Sequence, residues 1–406
     1  MTNITPELRE SLNKIFISLA QNLDITKTQY DNLVRSYGAV GKYLEEDPTF
    51  APYHPVISPQ GSLRLGTIIQ PVNEDDDLDV DLVYRLIEKH PNWTQFDIKF
   101  RVGRRLKEHG TYNEMLDKEG RRCWTLLYRQ DSDNAKERYH MDILPCVADT
   151  GYAERLQRMA SAHFSSAEVD KIAIRITDNK TPEYLYSTNK NEWMKSNPDG
   201  YAMWFASRCK STREVRETMM NTIMPIGTYV ANKTVLQRIV QLLKRHRDIM
   251  FNGDDDKPIS IIITTLASRA YKGEENLFDG LCNVIDTMEL YIKRKADGTF
   301  LIENPVNGEE NFADKWSTHP QRKENFFKWL RKLKEDKQAI ITNKSVQLRE
   351  TFAGAFGKRS TDKVFSDMVQ LHKSDASNGK LKVASTGLIG SIGKTLNAQN
   401  TFFGKE

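Results

Sequence analysis

Residues 60–84, QGSLRLGTIIQPVNEDDDLDVDLVY, constrain this chain more than any other stretch. The segment opens on Gly61-Ser62 and closes on Asp79-Val80-Asp81 inside an apolar run. Side chains alternate along a strand, so Asp79 and Asp81 share one face while Val80 and Leu82 point into a core. Two adjacent carboxylates on an otherwise apolar strand are unfavourable unless a cation lies between them. Mg²⁺ meets that need, because it takes one or two carboxylates together with the phosphate oxygens of its substrate. The Gly-Ser turn just upstream offers backbone N–H groups and a hydroxyl to such phosphates. The acidic run at 74–77 leaves a second register open, with Asp77 and Asp79 as the pair. The more continuous apolar core of Val80, Leu82 and Val83 favours Asp79 and Asp81.

A third carboxylate comes from a second apolar strand, Tyr139-His140-Met141-Asp142-Ile143-Leu144-Pro145, which Pro145 is expected to end. A buried Asp142 alone reads as hydrogen-bonded structure. With Asp79 and Asp81 it completes the ligand set of a two-metal site. His140 shares the face of Asp142 and is read as structural.

The rest of the chain supplies a frame. Helices are expected at 5–22, with Thr5 as N-cap and Pro6 in the first turn, and at 26–44. A helix at 64–70 is expected to break at Pro71. A basic helix covers 96–109, a strand 123–128 and a polar helix 210–224. Residues 234–251 are strongly periodic, with Val235, Ile239, Leu242 and Leu243 on one face. Lys244, Arg245, His246 and Arg247 lie towards the helix end, where cations suit the dipole and a solvated surface is the ordinary reading. The sharper reading sends Lys244 to a triphosphate. A further buried helix begins near 258, a hairpin turns at Asp297-Gly298, and another helix spans 320–335.

The expected organisation is a core at 1–225, a helical lobe at 226–373 and a flexible or loosely docked tail at 374–406. A net charge of +4 over 406 residues does not demand a nucleic-acid partner. The four cysteines lack CxxC spacing and read as reduced thiols of a cytoplasmic protein. No apolar run is long enough for a membrane span, and the first residues lack a signal-peptide pattern. Residues 390–395 look like a phosphate-binding loop, but Leu388 stands where the pattern needs glycine.

The order Gly-Ser, Asp-x-Asp, distant Asp, basic helix resembles the polymerase-beta-type nucleotidyltransferase superfamily. Gln60-Gly61-Ser62, Asp79-Val80-Asp81-Leu82-Val83, residues 140–145, Asn304-Pro305 and Asn311-Phe312-Ala313 resemble more narrowly the bacterial CD-NTases. These are relatives of cyclic GMP-AMP synthase and oligoadenylate synthetase that make second messengers in anti-phage defence. The interval from Ser62 to Asp79 is longer than usual for the superfamily, which a loop absorbs cheaply.

The resemblance implies an α+β fold: a bilobed nucleotidyltransferase core with a mixed β-sheet and a helical C-terminal lobe. It implies that Gln60, Gly61 and Ser62 bind the donor triphosphate and that Asp79, Asp81 and Asp142 hold two Mg²⁺, with Mn²⁺ as a substitute. Lys244 and Thr265 are carried over as phosphate-binding residues. ATP or GTP would be the substrates, and a regulatory protein could engage the tail. The competing readings are a nucleotidyltransferase acting on RNA or protein, and a nucleotide sensor without turnover.

Overall fold

The computed structural model describes residues 4–73, 77–129, 138–149, 173–209, 229, 231–343 and 345–377, with two-residue strands at 382–383, 389–390 and 395–396. The helix expected at 210–224, residues 391–394 of the loop-like motif and most of the tail lie outside the described residues. In chain order the helices are α1 Pro6–Asn22, α2 Lys27–Glu45, α3 Gly61–Arg64, α4 Gln95–Glu108, α5 Gly110–Met115, α6 Pro198–Cys209, α7 Val235–Phe251, α8 Ser260–Ala270, α9 Leu277–Thr287, α10 Pro320–Thr342, α11 Ser345–Phe356 and α12 Lys358–Ser377. The main sheet is built from β1 Pro55–Gln60, β2 Leu78–Leu86, β3 Trp124–Tyr128, β4 Tyr139–Ala148, β5 Ile174–Ile176 and β6 Met194–Ser196.

Local chemistry accounts for the helix starts. The Thr5 hydroxyl accepts from Leu8 N–H, and Thr26 forms a reciprocal capping box with Gln29 at the head of α2. Thr94 and Asp97 do the same for α4. The helix expected at 64–70 forms earlier and ends sooner: α3 covers Gly61–Arg64. Gly66, at φ 66°, turns the chain out of the helix.

The sheet is mixed. β1 runs antiparallel to β2, β2 runs parallel to β4, and the far edge of β4 is shared by β3 and β5. β4 continues through Pro145 to Ala148, past its expected end. The reason is local. β3 pairs with β4 only as far as Ile143, and β5 starts at Cys146. The Pro145 carbonyl accepts from Thr177 on that same edge, so the missing N–H of proline falls where no strand partner needs it. Val80, Leu82, Met141 and Ile143 are buried with Val40 and Leu44 of α2 and Ile98 and Val102 of α4 in one core.

The chain groups into two compact units: Ile25–Gln237 with Lys293–Asp314, and Met1–Asp24 with Arg238–Ile292 and Lys315–Glu406. This differs from a division at 225 in three respects. The sheet unit runs on to Gln237. α1 belongs with the helical unit, where Phe16 packs its ring against Phe278, Phe352 and Phe356. Residues 293–314 return to the sheet unit, where Lys195 pairs with Glu309 and Tyr201 packs edge-on to Phe312.

In the helical unit α7 is enclosed on all sides. Leu236, Ile239, Val240, Leu242 and Leu243 are buried, and so are Lys244, Arg245, His246 and Arg247. The basic cluster is therefore interior, not a solvated helix end. Arg247 donates to the Pro258 carbonyl and to Ser260 Oγ, and His246 Nε2 lies 3.0 Å from Asp336 Oδ2 on α10. Internal partners of this kind are what make buried charge tolerable.

Candidate active site on the sheet face

Strand register brings the marked residues of the sheet unit together. On β2, Leu78, Val80 and Leu82 are buried, whereas Asp79 and Asp81 on the alternate face are not. Asp81 stands opposite Asp142 of β4, and Asp79 stands opposite His140. On its other side Asp81 pairs with Gln60 of β1, and Asp142 pairs with Thr125 of β3. Gln60, Asp81, Asp142 and Thr125 thus form one row across four strands, with Asp79 two residues along β2.

Gly61 follows Gln60 directly and begins α3. Its φ of +61° is a left-handed conformation, and a Cβ there would lie 2.1 Å from Asp81 Oδ2. Only glycine brings the backbone this close to the carboxylate without strain or collision. Ser62, next in line, is half-buried, and its carbonyl accepts from the Thr67 N–H at 2.9 Å. The Gly-Ser turn and the Asp-x-Asp strand are therefore in contact, although the sequence separates Gly61 from Asp81 by a long loop.

The carboxylates of this face differ in their surroundings. Asp79 has a side chain 86% exposed, with its Oδ1 3.9 Å from His140 Nδ1. Asp77 lies just ahead of β2, with Oδ2 2.8 Å from His140 Nε2 and Oδ1 3.2 Å from Arg138 Nε. Asp142 accepts from the Thr125 hydroxyl. Cys123 also lies against Asp142, and burial together with that negative charge pushes its thiol up to about 11. No three His, Cys, Asp or Glu side chains among the described residues close into a ready metal cage. Even so, the donors suit Mg²⁺. They are hard oxygens on neighbouring positions of one accessible face, with room for water and phosphate to complete the coordination.

Lys244 and Thr265 belong to the other unit. Lys244 is buried on α7, and Thr265 is fully buried on α8, where its hydroxyl donates to the Ile261 carbonyl at 2.7 Å. That bond is the usual way a threonine satisfies itself inside a helix.

Two participants went unmarked in the sequence, Thr125 and Cys123, and the pairing of Asp77 with His140 was not foreseen. Alternation on 139–145 already put His140 on the face of Asp142. Thr125 needed the pairing of β3 with β4, which no local pattern announces.

Residues 11–172 match the family of Second Messenger Oligonucleotide or Dinucleotide Synthetase domains. Through this segment and over its whole length the chain is similar to the CD-NTases, nucleotidyltransferases of the second-messenger type. A c-di-GMP synthase of Roseivirga ehrenbergii is 29% identical over 413 residues, covering 99% of each chain. The CD-NTase CdnG of Bradyrhizobium diazoefficiens, solved in complex with GTP, has a TM-score of 0.63 at 18% identity, over 89% of this chain and all of that one. CdnC of E. coli MS115-1, solved in a complex with HORMA-deltaN, gives 0.54 at 13% identity over 85% of this chain and 96% of that one. These solved structures establish that this chain shares their α+β fold. None of its described helices is long and apolar enough to cross a membrane.

Proposed function

We propose that this chain joins two nucleoside triphosphates, GTP foremost, into a cyclic dinucleotide with release of pyrophosphate, as a signal in anti-phage defence. The observation that carries this reading is the row Gln60, Asp81, Asp142 and Thr125, with the Gly61 backbone packed against Asp81. The Gly61-Ser62 turn lies beside a cluster of carboxylates, which supports a phosphate-binding role for that turn. The name of the Roseivirga relative favours GTP and a two-nucleotide ring.

Asp79, Asp81 and Asp142 would hold two Mg²⁺, with Mn²⁺ able to substitute. When bound, such ions neutralise phosphate charge and lower the pKa of an attacking hydroxyl. The carboxylate of Asp142 accepts the proton of the acceptor 2′- or 3′-hydroxyl, and Thr125 fixes its orientation by donating to one oxygen. Gly61 and Ser62 bind the donor triphosphate through backbone N–H and hydroxyl groups, with Gln60 fixing the end of β1 beside them. Attack at the α-phosphorus forms the new P–O bond and breaks the bond to pyrophosphate. A second round on the linear intermediate closes the ring. The chain's contribution is positioning and charge complementarity, with no covalent intermediate on the protein.

Asp77 lies ahead of β2 beside Arg138 and His140, whereas Asp79 and Asp81 lie on the strand itself, in register with His140 and Asp142; this favours Asp79 and Asp81 as the pair. Lys244 and Thr265 are proposed as phosphate ligands on the resemblance alone. Thr265 can donate to a phosphate only by giving up its bond to Ile261. A regulatory protein is proposed to act through the C-terminal residues, in keeping with the HORMA-deltaN complex of the E. coli relative.

The test incubates the full chain with Mg²⁺ and labelled NTPs, singly and together, followed by phosphatase treatment and mass spectrometry. A phosphatase-resistant product with the mass of a cyclic dinucleotide is expected. Label incorporated only after RNA or protein is added would replace this reading with a macromolecule-modifying transferase.

A further inference from the structure

A helix of four residues cannot fix its own position, because helix formation is cooperative and its nucleus is costly. α3 must therefore be held from outside. Arg64, its last residue, points its guanidinium inward, with Nη2 3.7 Å from Asp199 Oδ1. The other oxygen of Asp199 accepts from Arg85 Nη1 at 3.3 Å. Arg85 lies four residues beyond Asp81 on β2. Asp199 is the second residue of α6, whose first turn is secured by the Asn197 side chain accepting from Gly200 N–H at 2.7 Å. All three charged side chains are almost wholly covered. Past α3, the Leu65 carbonyl accepts from Gln237 Nε2 at 2.9 Å.

One carboxylate thus lies between two guanidinium groups. One of these carries the Gly-Ser turn, and the other is fixed to the strand of Asp79 and Asp81. Without Asp199, two buried guanidinium groups would lose the carboxylate that lies between them. Burial already pulls Arg64 below its ordinary range, against the opposing charge of Asp199.

We propose that Asp199 is a positioning residue for nucleotidyl transfer: through Arg64 and Arg85 it locks the turn of Gly61 and Ser62 in register with the carboxylates of β2. This rests on the function proposed above, in which that turn binds the donor triphosphate. A purely structural salt bridge would act on stability and leave the turn's contribution to catalysis intact. A positioning residue acts through the turn, so its removal and removal of the Ser62 hydroxyl must overlap.

The experiment is a double-mutant cycle on kcat/KM for pyrophosphate release with Mg²⁺ and NTPs, comparing wild type, Asp199→Asn, Ser62→Ala and the double variant, with Tm recorded for each. A displacement of the turn by about an ångström costs about a hundredfold in rate. The expected result is a loss of that order in Asp199→Asn, mostly in the donor KM, with the double variant no worse than the poorer single one. Additive losses, or an unchanged kcat/KM in folded Asp199→Asn, would overturn the proposal. Should Asp199→Asn not fold, Arg64→Lys takes its place in the same cycle, with the same two outcomes. Asp81→Asn serves as the control. Turnover in wild type that Asp81→Asn abolishes secures the functional reading, so additivity then overturns the positioning role alone. A wild type without turnover on any NTP overturns both.

Discussion

The face of β2 and β4 and the helix α7 both carry runs of charged residues within apolar sequence, and the two runs have opposite fates. On the strand, alternation sends Asp79 and Asp81 to the open face and Val80 and Leu82 to the core. On α7, Lys244, Arg245, His246 and Arg247 are all interior, although four consecutive residues of a helix span its whole circumference. Where one face of a strand is open, as at the start of β2, alternation reports the side of each residue directly. An enclosed helix reports nothing from charge alone, because its burial is decided by neighbours distant in sequence, here Asp336 and the Pro258 carbonyl. The carboxylates at the start of β2 can be reached by a ligand from outside, whereas His246 and Arg247 of α7 are engaged within the fold.

The sharpest way to break this contrast is Gly61→Ala. The added methyl meets Asp81 Oδ2, and the left-handed backbone costs a further ~1 kcal/mol for an L-residue. We expect pyrophosphate release to fall by about a hundredfold, with a modest drop in Tm. An active Gly61→Ala variant would mean that the turn and the strand need not touch.

Next in size is Asp336→Asn in the helical unit, which leaves His246 and Lys332 facing a neutral amide. Breaking a buried pair costs about 3 kcal/mol, so thermal unfolding should begin several degrees earlier. Burial raises the Asp336 carboxyl, but hydrogen bonds from His246 and Lys332 outweigh it and hold it below the usual carboxylate range. The stabilisation is therefore present above the ordinary carboxylate pKa of about 4 and is lost as the pH falls through the depressed value. The gap in Tm between wild type and variant should close on acidification. A gap independent of pH down to about 2 would mean that the pair is not ionic.

The smallest effect is expected for Thr265→Val. Its hydroxyl serves the Ile261 carbonyl, so removal should change stability by no more than about 1 kcal/mol, and as a proposed phosphate ligand it should raise the KM for NTP about fivefold, the worth of one hydrogen bond. An unchanged KM would show that the hydroxyl stays with its helix and serves no phosphate.

What was legible in the sequence follows the same physics. β2, β4, α1, α2 and α4 were readable because period and capping residues agree along each of them. The three carboxylates were readable because each interrupts an apolar strand. The extension of β4 past Pro145 was not, since it depends on the gap between β3 and β5 on one edge. Nor was the link between Arg64, Asp199 and Arg85, which joins three segments more than a hundred residues apart at its extremes. The grouping of α1 with α9 and α11 rests on aromatic contacts around Phe16 that helical periodicity cannot specify.

The central claim is that the working carboxylates are those of the open face, Asp79 and Asp81 with Asp142. The most direct measurement is pyrophosphate release from NTPs and Mg²⁺ by Asp79→Asn and Asp77→Asn, side by side with wild type. Asp79→Asn should lose at least about a thousandfold. Asp77→Asn, whose carboxylate serves Arg138 and His140, should keep activity within about tenfold of wild type, the range of a lost supporting contact. Abolished turnover in Asp77→Asn together with preserved turnover in Asp79→Asn would contradict the account.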